Sequence, residues 1–284
     1  MEKNVLFCGF GKLGLDCAQT LHKNGYCLRY ILSHKDESET SLKYFADNIS
    51  SGFSAFNIKS KVQKTLSLID EYQIDYLISI NYRYIIPEEI ISSVKFKVNI
   101  HGSLLPRYRG RTPHVWSIIN GEKQTGITAH VMTKGVDTGD IIYQKVIPIG
   151  NDDTGASLLE KYEKLYPDIL LTALHNLEIS APLKKQNEEE ATYFGKRIPE
   201  MGYINFRANS TEIINFVRAQ AYPYPGAYYY LPDGKKIIID KIQILENHQT
   251  LHSFTPEYGI IVYSDDRYLV RCFDSILEVK DFRI

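Results

Sequence analysis

No stretch of this sequence approaches the roughly 18 consecutive apolar residues of a membrane-spanning helix, so no transmembrane anchor and no membrane partner are expected. Residues 1–4 lead into a short apolar run, 5–8, too brief for a secretory signal, and no small-residue cleavage site follows. A cytoplasmic protein is the expectation. Cysteine is scarce: Cys8, Cys17, Cys27 and Cys272 form no CxxC pair and no zinc spacing. That argues against a redox dithiol and a thiolate metal centre, and for a reduced, metal-free protein. Blocks of Lys or Arg are missing and the net charge is -1, which leaves no basic footprint for a nucleic acid. Internal repeats and low-complexity segments are missing too.

What is present is an ordinary globular balance, 44% hydrophobic and 24% charged over 284 residues, which suits a larger domain with a smaller one behind it. The first half alternates short apolar runs with amphipathic stretches. Residues 5–9, 28–32, 76–80 and 98–100 read as strands. Residues 13–23, 61–72 and 88–92 read as helices, the first with Leu13, Cys17, Ala18 and Leu21 on one face. Strands separated by helical patterns imply right-handed crossovers and a mostly parallel, Rossmann-like α/β sheet. Residues 125–132 and 141–147 read as a hairpin at its end. A long helix over 152–177 follows, capped by Asp153 or Thr154, with Leu158, Leu159, Tyr162 and Leu165 as its apolar face.

After about residue 182 the character changes. Residues 184–191 are polar and charged, hence expected to be exposed. A helix over 211–219 precedes Tyr-rich β-like runs at 227–231, 236–245, 259–263 and 268–273, punctuated at 232–234 and at Asp265-Asp266. These predict a small antiparallel sheet or barrel. The expected division is a larger domain over 1–200 and a smaller β-rich domain over 201–284.

The turn Gly9-Phe-Gly-Lys-Leu-Gly14 matches GxGxxG between a strand and a helix, and Asp36-Glu37 follows at the distance of a ribose-binding carboxylate. Two readings stand. One is a dinucleotide fingerprint, whose glycines let the backbone approach phosphate at a helix N-terminus. The other is a tight βα turn followed by surface charge.

More chemistry is concentrated in Asn99-Ile-His-Gly-Ser-Leu-Leu-Pro-Arg-Tyr-Arg-Gly-Arg-Thr-Pro113, at the carboxyl end of a predicted strand, where open α/β sheets hold ligands. Asn99 and His101 are two apart, so an extended chain points both to one face. A histidine can take a proton near neutrality, and an Asn amide can donate to a developing oxyanion. Asp137, in Gly135-Val-Asp-Thr-Gly-Asp140, lies in a loop that can return beside His101 and orient its imidazole. Asn, His and Asp fill the roles acyl transfer needs. Each also has a plain alternative: backbone satisfaction for Asn99, a hydrogen-bonded, partly buried histidine for His101, a turn-former for Asp137.

The run His101-Gly-Ser-Leu-Leu-Pro106, with Asn99 before it and Gly110 after it, resembles the signature of the formyltransferase family. Gly126-Ile-Thr-Ala-His-Val131, Val136-Asp-Thr-Gly-Asp140 and Gln144 fall in family order. The resemblance extends from residue 1 to about 230. It implies the formyltransferase fold, N10-formyltetrahydrofolate as co-substrate, no metal, no NAD, and Asn99, His101 and Asp137 as the catalytic set. It implies that Tyr84, Ile85 and Ile86, within Asn81-Tyr-Arg-Tyr-Ile-Ile86, hold the pterin through their backbone. Arg111 and Thr133, Lys134, Gly135, Val136 and Asp137 are then near the folate. The turn at Gly9, Phe10, Gly11 and Lys12 faces the amine substrate rather than a nicotinamide.

Within the family, the C-terminal third argues against the ribonucleotide enzyme, which resembles only the first domain. From 201 to 284 nine Lys and Arg stand against ten Asp and Glu, a poor surface for tRNA phosphates. Tyr193-Phe-Gly-Lys-Arg-Ile-Pro199 and Val217-Arg-Ala-Gln-Ala-Tyr-Pro-Tyr-Pro-Gly-Ala227 resemble segments of sugar N-formyltransferases. That implies a nucleotide-linked amino-deoxy sugar as substrate, dTDP-4-amino-4,6-dideoxyglucose or its 3-amino isomer, in the synthesis of bacterial lipopolysaccharide O-antigen. Phe194, Tyr222 and Tyr224 are candidates to stack on the base, and Arg109, Arg197 or Arg218 to meet the diphosphate. Ser103, Arg107 and His114 complete the substrate side. A homodimer through the Tyr-rich strands is expected. Methionyl-tRNA formylation is the alternative within the class. A dehydrogenase using the 9–14 turn and a non-catalytic sugar-nucleotide or folate sensor are the alternatives outside it.

Overall fold

In the computed structural model, which describes residues 2–34, 40–245, 257–264 and 266–284, the chain forms two compact units. In chain order the elements begin β1 (Lys3–Gly9), α1 (Gly11–Lys23), β2 (Tyr26–Ser33), α2 (Thr40–Asn48), β3 (Gly52–Ala55) and α3 (Val62–Glu71). They continue with β4 (Tyr76–Ile80), α4 (Glu88–Ser92), β5 (Phe96–His101), β6 (Arg109–Gly110) and α5 (Pro113–Ile119). Next come β7 (Gln124–Val131), β8 (Ile141–Pro148), α6 (Gly155–Glu178), β9 (Tyr193–Phe194) and α7 (Ser210–Ala219). The chain ends with β10 (Ala227–Tyr230), β11 (Lys236–Ile244), β12 (Ile261–Ser264), β13 (Arg267–Arg271) and β14 (Ile276–Arg283).

The first unit comprises Met1–Gly110, Gly126–Ile147 and Lys161–Tyr193. Its sheet has the order β3-β2-β1-β4-β5-β7-β8. The five strands from β3 to β5 pair in parallel and β7 runs antiparallel to β5. All five residues of β4 are buried, which is why 76–80 reads as an unbroken apolar run. Helix α1 buries Leu13, Cys17, Ala18 and Leu21, the face its periodicity predicts. The chain leaves β1 for β2 and β3, then returns to build β4 and β5 on the other side. This switch sets the carboxyl ends of β1, β4 and β5 side by side, with the Phe10 N–H donating to the Ile80 carbonyl at 3.2 Å. A crevice at such a switch is where open α/β sheets bind ligands.

Thr154 caps α6, its Oγ1 accepting the Ser157 N–H at 3.1 Å. The helix buries Leu158, Tyr162, Tyr166, Ile169, Leu170, Ala173 and Leu174, whereas Leu159 and Leu165 are half-buried. Segment 184–191 departs from the expected full exposure, because Gln186 is 5% exposed. Elements α2, β3 and α5 were not expected. Every residue of the edge strand β3 is half-buried, so no apolar run marks it. Asp36-Glu37 lie outside the described residues.

The second unit comprises Arg111–Thr125, Pro148–Glu160 and Phe194–Ile284. Its five strands order as β10-β11-β14-β13-β12, antiparallel throughout. Asn209 and Glu212 form a capping box on α7. The helix buries Ile213 and Val217 in a core with Ile204, Phe206, Ile239, Val270 and Leu277. Gly234, at φ +82°, closes the expected turn at 232–234. Asp265 lies outside the described residues; Asp266 adopts φ +59°. The unexpected strand is the central one, β14. Its charged residues hid it, yet Glu278 is buried, held by Lys280 at 2.9 Å and Gln243 at 3.3 Å. All four cysteines are free thiols. Among the described residues no helix is long and apolar enough to cross a membrane, and no cluster of His, Cys, Asp or Glu could hold a metal.

Candidate active site

Strand β5 presents Asn99 and His101 on one face, and the antiparallel register sets His130 of β7 opposite Asn99. Asp137 comes from the loop after β7, held at a left-handed φ of +56°. The three expected residues therefore meet. Asp137 Oδ2 lies 3.5 Å from His101 Nδ1, and its Oδ1 lies 3.5 Å from Asn99 Nδ2. His101 Nε2 sits 2.7 Å from the Tyr108 carbonyl oxygen. A carbonyl can only accept, so Nε2 carries the proton and Nδ1 keeps its lone pair toward the carboxylate.

Sequence reasoning missed His130. Its Nδ1 donates to the Val131 carbonyl at 2.9 Å, which leaves Nε2 to accept one Asn99 N–H at 3.0 Å. This fixes the direction of the Asn99 amide and leaves its second N–H only loosely engaged, at 3.5 Å from Asp137. The one signal was the position of His130 in the 126–131 motif; the register that brings it to Asn99 appears only with the sheet order. Burial alone would raise the Asp137 carboxyl. The neighbouring imidazoles of His101 and His130, with a 2.9 Å bond from the Gly110 N–H, outweigh that and hold it well below the usual carboxylate range.

At the carboxyl ends of β1 and β4, the His34 ring lies 4.6 Å from Phe10, 5.0 Å from Tyr82 and 5.0 Å from Tyr84. His34 Nε2 accepts the Arg83 N–H at 2.8 Å, and the Arg83 guanidinium lies 4.1 Å over Phe10. The 9–12 turn and the 84–86 loop are thus joined through His34, Tyr82 and Arg83, which sequence reading did not single out. Ile85 is 49% exposed, while Ile86 packs in the core beside Leu6 and Cys8, so Ile86 can offer a ligand only its backbone. Gly11 needs its φ of +65°, and a Cβ on Gly14 would come within 3.2 Å of the Gly9 backbone; both glycines serve a tight turn. Exposed Lys12 pairs with Asp16 one helical turn on. In the Asp137 loop Thr133 bonds Thr138 at 2.9 Å and Lys134 reaches Glu88 at 3.4 Å, while Gly135 and Val136 are exposed.

Two expected substrate contacts need correction. Arg109 is fully buried, and all five of its N–H groups are spent on Gln186, Glu188 and Tyr193; none is left for a diphosphate. The Ser103 hydroxyl is buried and donates to the Arg107 carbonyl at 2.7 Å, so it shapes the turn. Arg218 commits Nε to Asn215 and Nη1 to the Gly150 and Asp153 carbonyls. Arg107 is exposed, 5.5 Å over Tyr108.

The second unit holds the remaining candidates. His114 Nε2 pairs with the Tyr224 hydroxyl at 2.9 Å, and burial pushes its pKa down to about 4. Phe194 lies 5.1 Å from Trp116, and Arg197 lies 4.8 Å over the same indole while bonding the Met201 carbonyl at 2.8 Å. Tyr222 is 72% exposed, its N–H donating to Asp240 at 2.9 Å. Arg111 is exposed, and its N–H donates to the Phe194 carbonyl at 2.9 Å.

Residues 15–174 match the profile of the formyl transferase family, and 197–284 match its C-terminal domain. The chain is 35% identical over 220 residues to the methionyl-tRNA formyltransferase of Caldanaerobacter subterraneus subsp. tengcongensis, covering 77% of this chain and 69% of that one. Its structure is similar to that of a sugar N-formyltransferase from Shewanella sp. FDAARGOS_354, with a TM-score of 0.68 and 26% identity over 84% of this chain and 97% of that one. It is similar too to WlaRD, a sugar 3N-formyl transferase crystallised in the presence of dTDP and 5-N-formyl-THF. There the TM-score is 0.74 and the identity 21%, over 99% of this chain and 98% of that one. With both profiles matched in order along it, the chain belongs to the formyl transferase family.

Proposed function

We propose that this chain transfers the formyl group of N10-formyltetrahydrofolate to the amine of a nucleotide-linked amino sugar. The observation that carries the reading is the meeting of Asn99, His101 and Asp137 around an imidazole whose tautomer the Tyr108 carbonyl fixes. In this reading His101 Nδ1 takes a proton from the amine as the amine nitrogen bonds to the formyl carbon. Asn99 donates its second N–H to the oxygen that gains charge, and Asp137 stabilises the imidazolium. His101 returns the proton to N10 as the carbon–N10 bond breaks, so that tetrahydrofolate and an N-formyl sugar leave.

In this reading the first unit offers the folate the backbone of 84–86 and the 133–137 loop, and offers the substrate Phe10 and the 9–12 turn. Arg111, His114, Phe194, Arg197, Tyr222 and Tyr224 of the second unit stay as candidate contacts. The dTDP-linked amino sugars stand first because WlaRD was crystallised in the presence of dTDP; service to O-antigen synthesis is the corresponding role. A catalytic domain over 1–200, cytoplasmic residence and a dimer through exposed rings such as Tyr230 and Tyr263 belong to the same reading.

The test is incubation with N10-formyltetrahydrofolate and a panel of dTDP-, UDP- and GDP-linked amino sugars, with mass spectrometry for the gain of one formyl group. Formylation of a sugar nucleotide supports the reading, and none across the panel sinks it. The second reading, formylation of methionyl-tRNA, is favoured by the 35% identical relative; initiator methionyl-tRNA in the same panel decides between them.

A further inference from the structure

We propose that segment 186–193 is a strap that sets the geometry of the His101–Asp137 pair, with Gln186 and Thr192 as positioning residues for formyl transfer. The inference rests on the reading above for its activity, but not for its geometry. Two non-glycine residues of the site, Tyr108 at φ +61° and Asp137 at φ +56°, hold left-handed backbone. Side chains resist that conformation, and it persists only where the surroundings impose it. Both residues are held by the same strap.

At Asp137, Gln186 Nε2 donates to the Asp137 carbonyl at 2.8 Å and the Gly139 carbonyl at 2.6 Å. Both amide hydrogens are spent on one loop. Gln186 Oε1 is itself fixed by two Arg109 N–H groups, at 3.2 and 2.7 Å, and Arg109 is clamped by Glu188 at 2.7 and 2.8 Å. At Tyr108, the backbone N–H donates to Thr192 Oγ1 at 2.8 Å. The next peptide is held on both edges. Its carbonyl, from Tyr108, accepts the His101 Nε2 proton at 2.7 Å, and its N–H, from Arg109, donates to the Thr192 carbonyl at 2.8 Å. Hydrogen bonds on the two sides of one peptide polarise each other. The strap thus holds the acceptor that decides which His101 nitrogen is bare.

Outer partners of this kind cost about 10–100-fold when removed at metal sites, and the same range is expected here. The substitutions are Thr192→Val, which deletes the acceptor for the Tyr108 N–H, Thr192→Ser, which keeps it, and Gln186→Glu, which keeps the Arg109 contacts and deletes the two donors. Three readouts are taken: kcat, KM for each substrate, and the imidazole 15N signals of His101 in the protein without substrate. Expected are a kcat lower by about 10–100-fold in Thr192→Val and Gln186→Glu, with each KM within about threefold, and recovery in Thr192→Ser. The Nε2–H tautomer signature of His101 should weaken in Thr192→Val and return in Thr192→Ser. Unchanged kcat and unchanged imidazole signals in folded variants would overturn the strap, as would equal losses in the Ser and Val variants. If Thr192→Val does not fold, Gln186→Glu decides. Should the wild-type protein transfer no formyl group, the functional reading fails, and the imidazole signals still judge the strap.

Discussion

Replacing Asp137 with Asn removes a charge and keeps a shape. The Asn carbonyl can still accept the Gly110 N–H that Asp137 receives at 2.9 Å, so the left-handed turn has its anchor. On the proposed mechanism, what disappears is the attraction between a carboxylate and the proton that His101 Nδ1 acquires during transfer. At the 3.5 Å separation observed, with an effective dielectric of about 20, that attraction is about 5 kcal/mol. Solvent and the substituted amide dipole recover part of it, leaving about 3–4 kcal/mol against the developing imidazolium. Each 1.4 kcal/mol is roughly a decade in rate, so kcat should fall by about 10²–10³-fold. KM for the amine should stay within about threefold, because the loss arises as the proton moves. The assay is steady-state kinetics at saturating formyl donor, with circular dichroism matched to wild type. A kcat within fivefold of wild type would refute the assignment of Asp137 as the group behind His101.

Other expectations follow from the same geometry. Because the Asp137 carboxyl is held below its ordinary value of 3.8, it stabilises the fold above that pH and loses this contribution as pH falls through the lower folded value. Wild type should therefore be more stable than Asp137→Asn at pH 7, with the gap narrowing below about pH 4 in thermal melts; a gap that widens on acidification contradicts this. His114 shows a different window: its pKa of about 4 in the fold, against 6.5 ordinarily, means the unfolded chain binds the extra proton. Stability should fall between pH 6.5 and 4, by at most about 3 kcal/mol, and His114→Gln should flatten that slope; parallel slopes would be the contrary result. Arg109→Met should cost about 2–4 kcal/mol in urea unfolding, less than breaking a fully buried pair, because Glu188 is 66% exposed and can resolvate. In Gly139→Ala the new Cβ would lie 1.7 Å from the Val131 carbonyl oxygen, so the Asp137 loop must shift and activity should drop at least tenfold; wild-type turnover would show that the loop tolerates displacement.

Much of this was legible because local chemistry and global placement agreed. The unbroken run 76–80 reads as a buried strand, and all five of its residues are buried; the α1 stripe of Leu13, Cys17, Ala18 and Leu21 is the face it buries. Asn99 and His101 shared a face by strand periodicity alone, and Asp137 needed only a loop short enough to return. What the sequence hid was register and side-chain commitment. His130 faces Asn99 only because β7 runs antiparallel to β5 in one particular alignment. Gln186 sits in a run of polar residues whose neighbours are exposed, and nothing local distinguishes it from them. Arg109 looks like an anion-binding arginine until its five donors are counted. The GxGxxG turn misleads in the opposite direction: its glycines answer to φ and to helix–strand contact, needs that exist with or without a dinucleotide.

The central claim is that His101 takes the proton of the attacking amine. The most direct measurement is single-turnover release of tetrahydrofolate with a dTDP-linked amino sugar, comparing wild type with a folded His101→Asn variant. The account predicts formyl transfer by wild type and a rate about 10²–10⁴-fold lower in the variant. Near wild-type turnover by His101→Asn would contradict it.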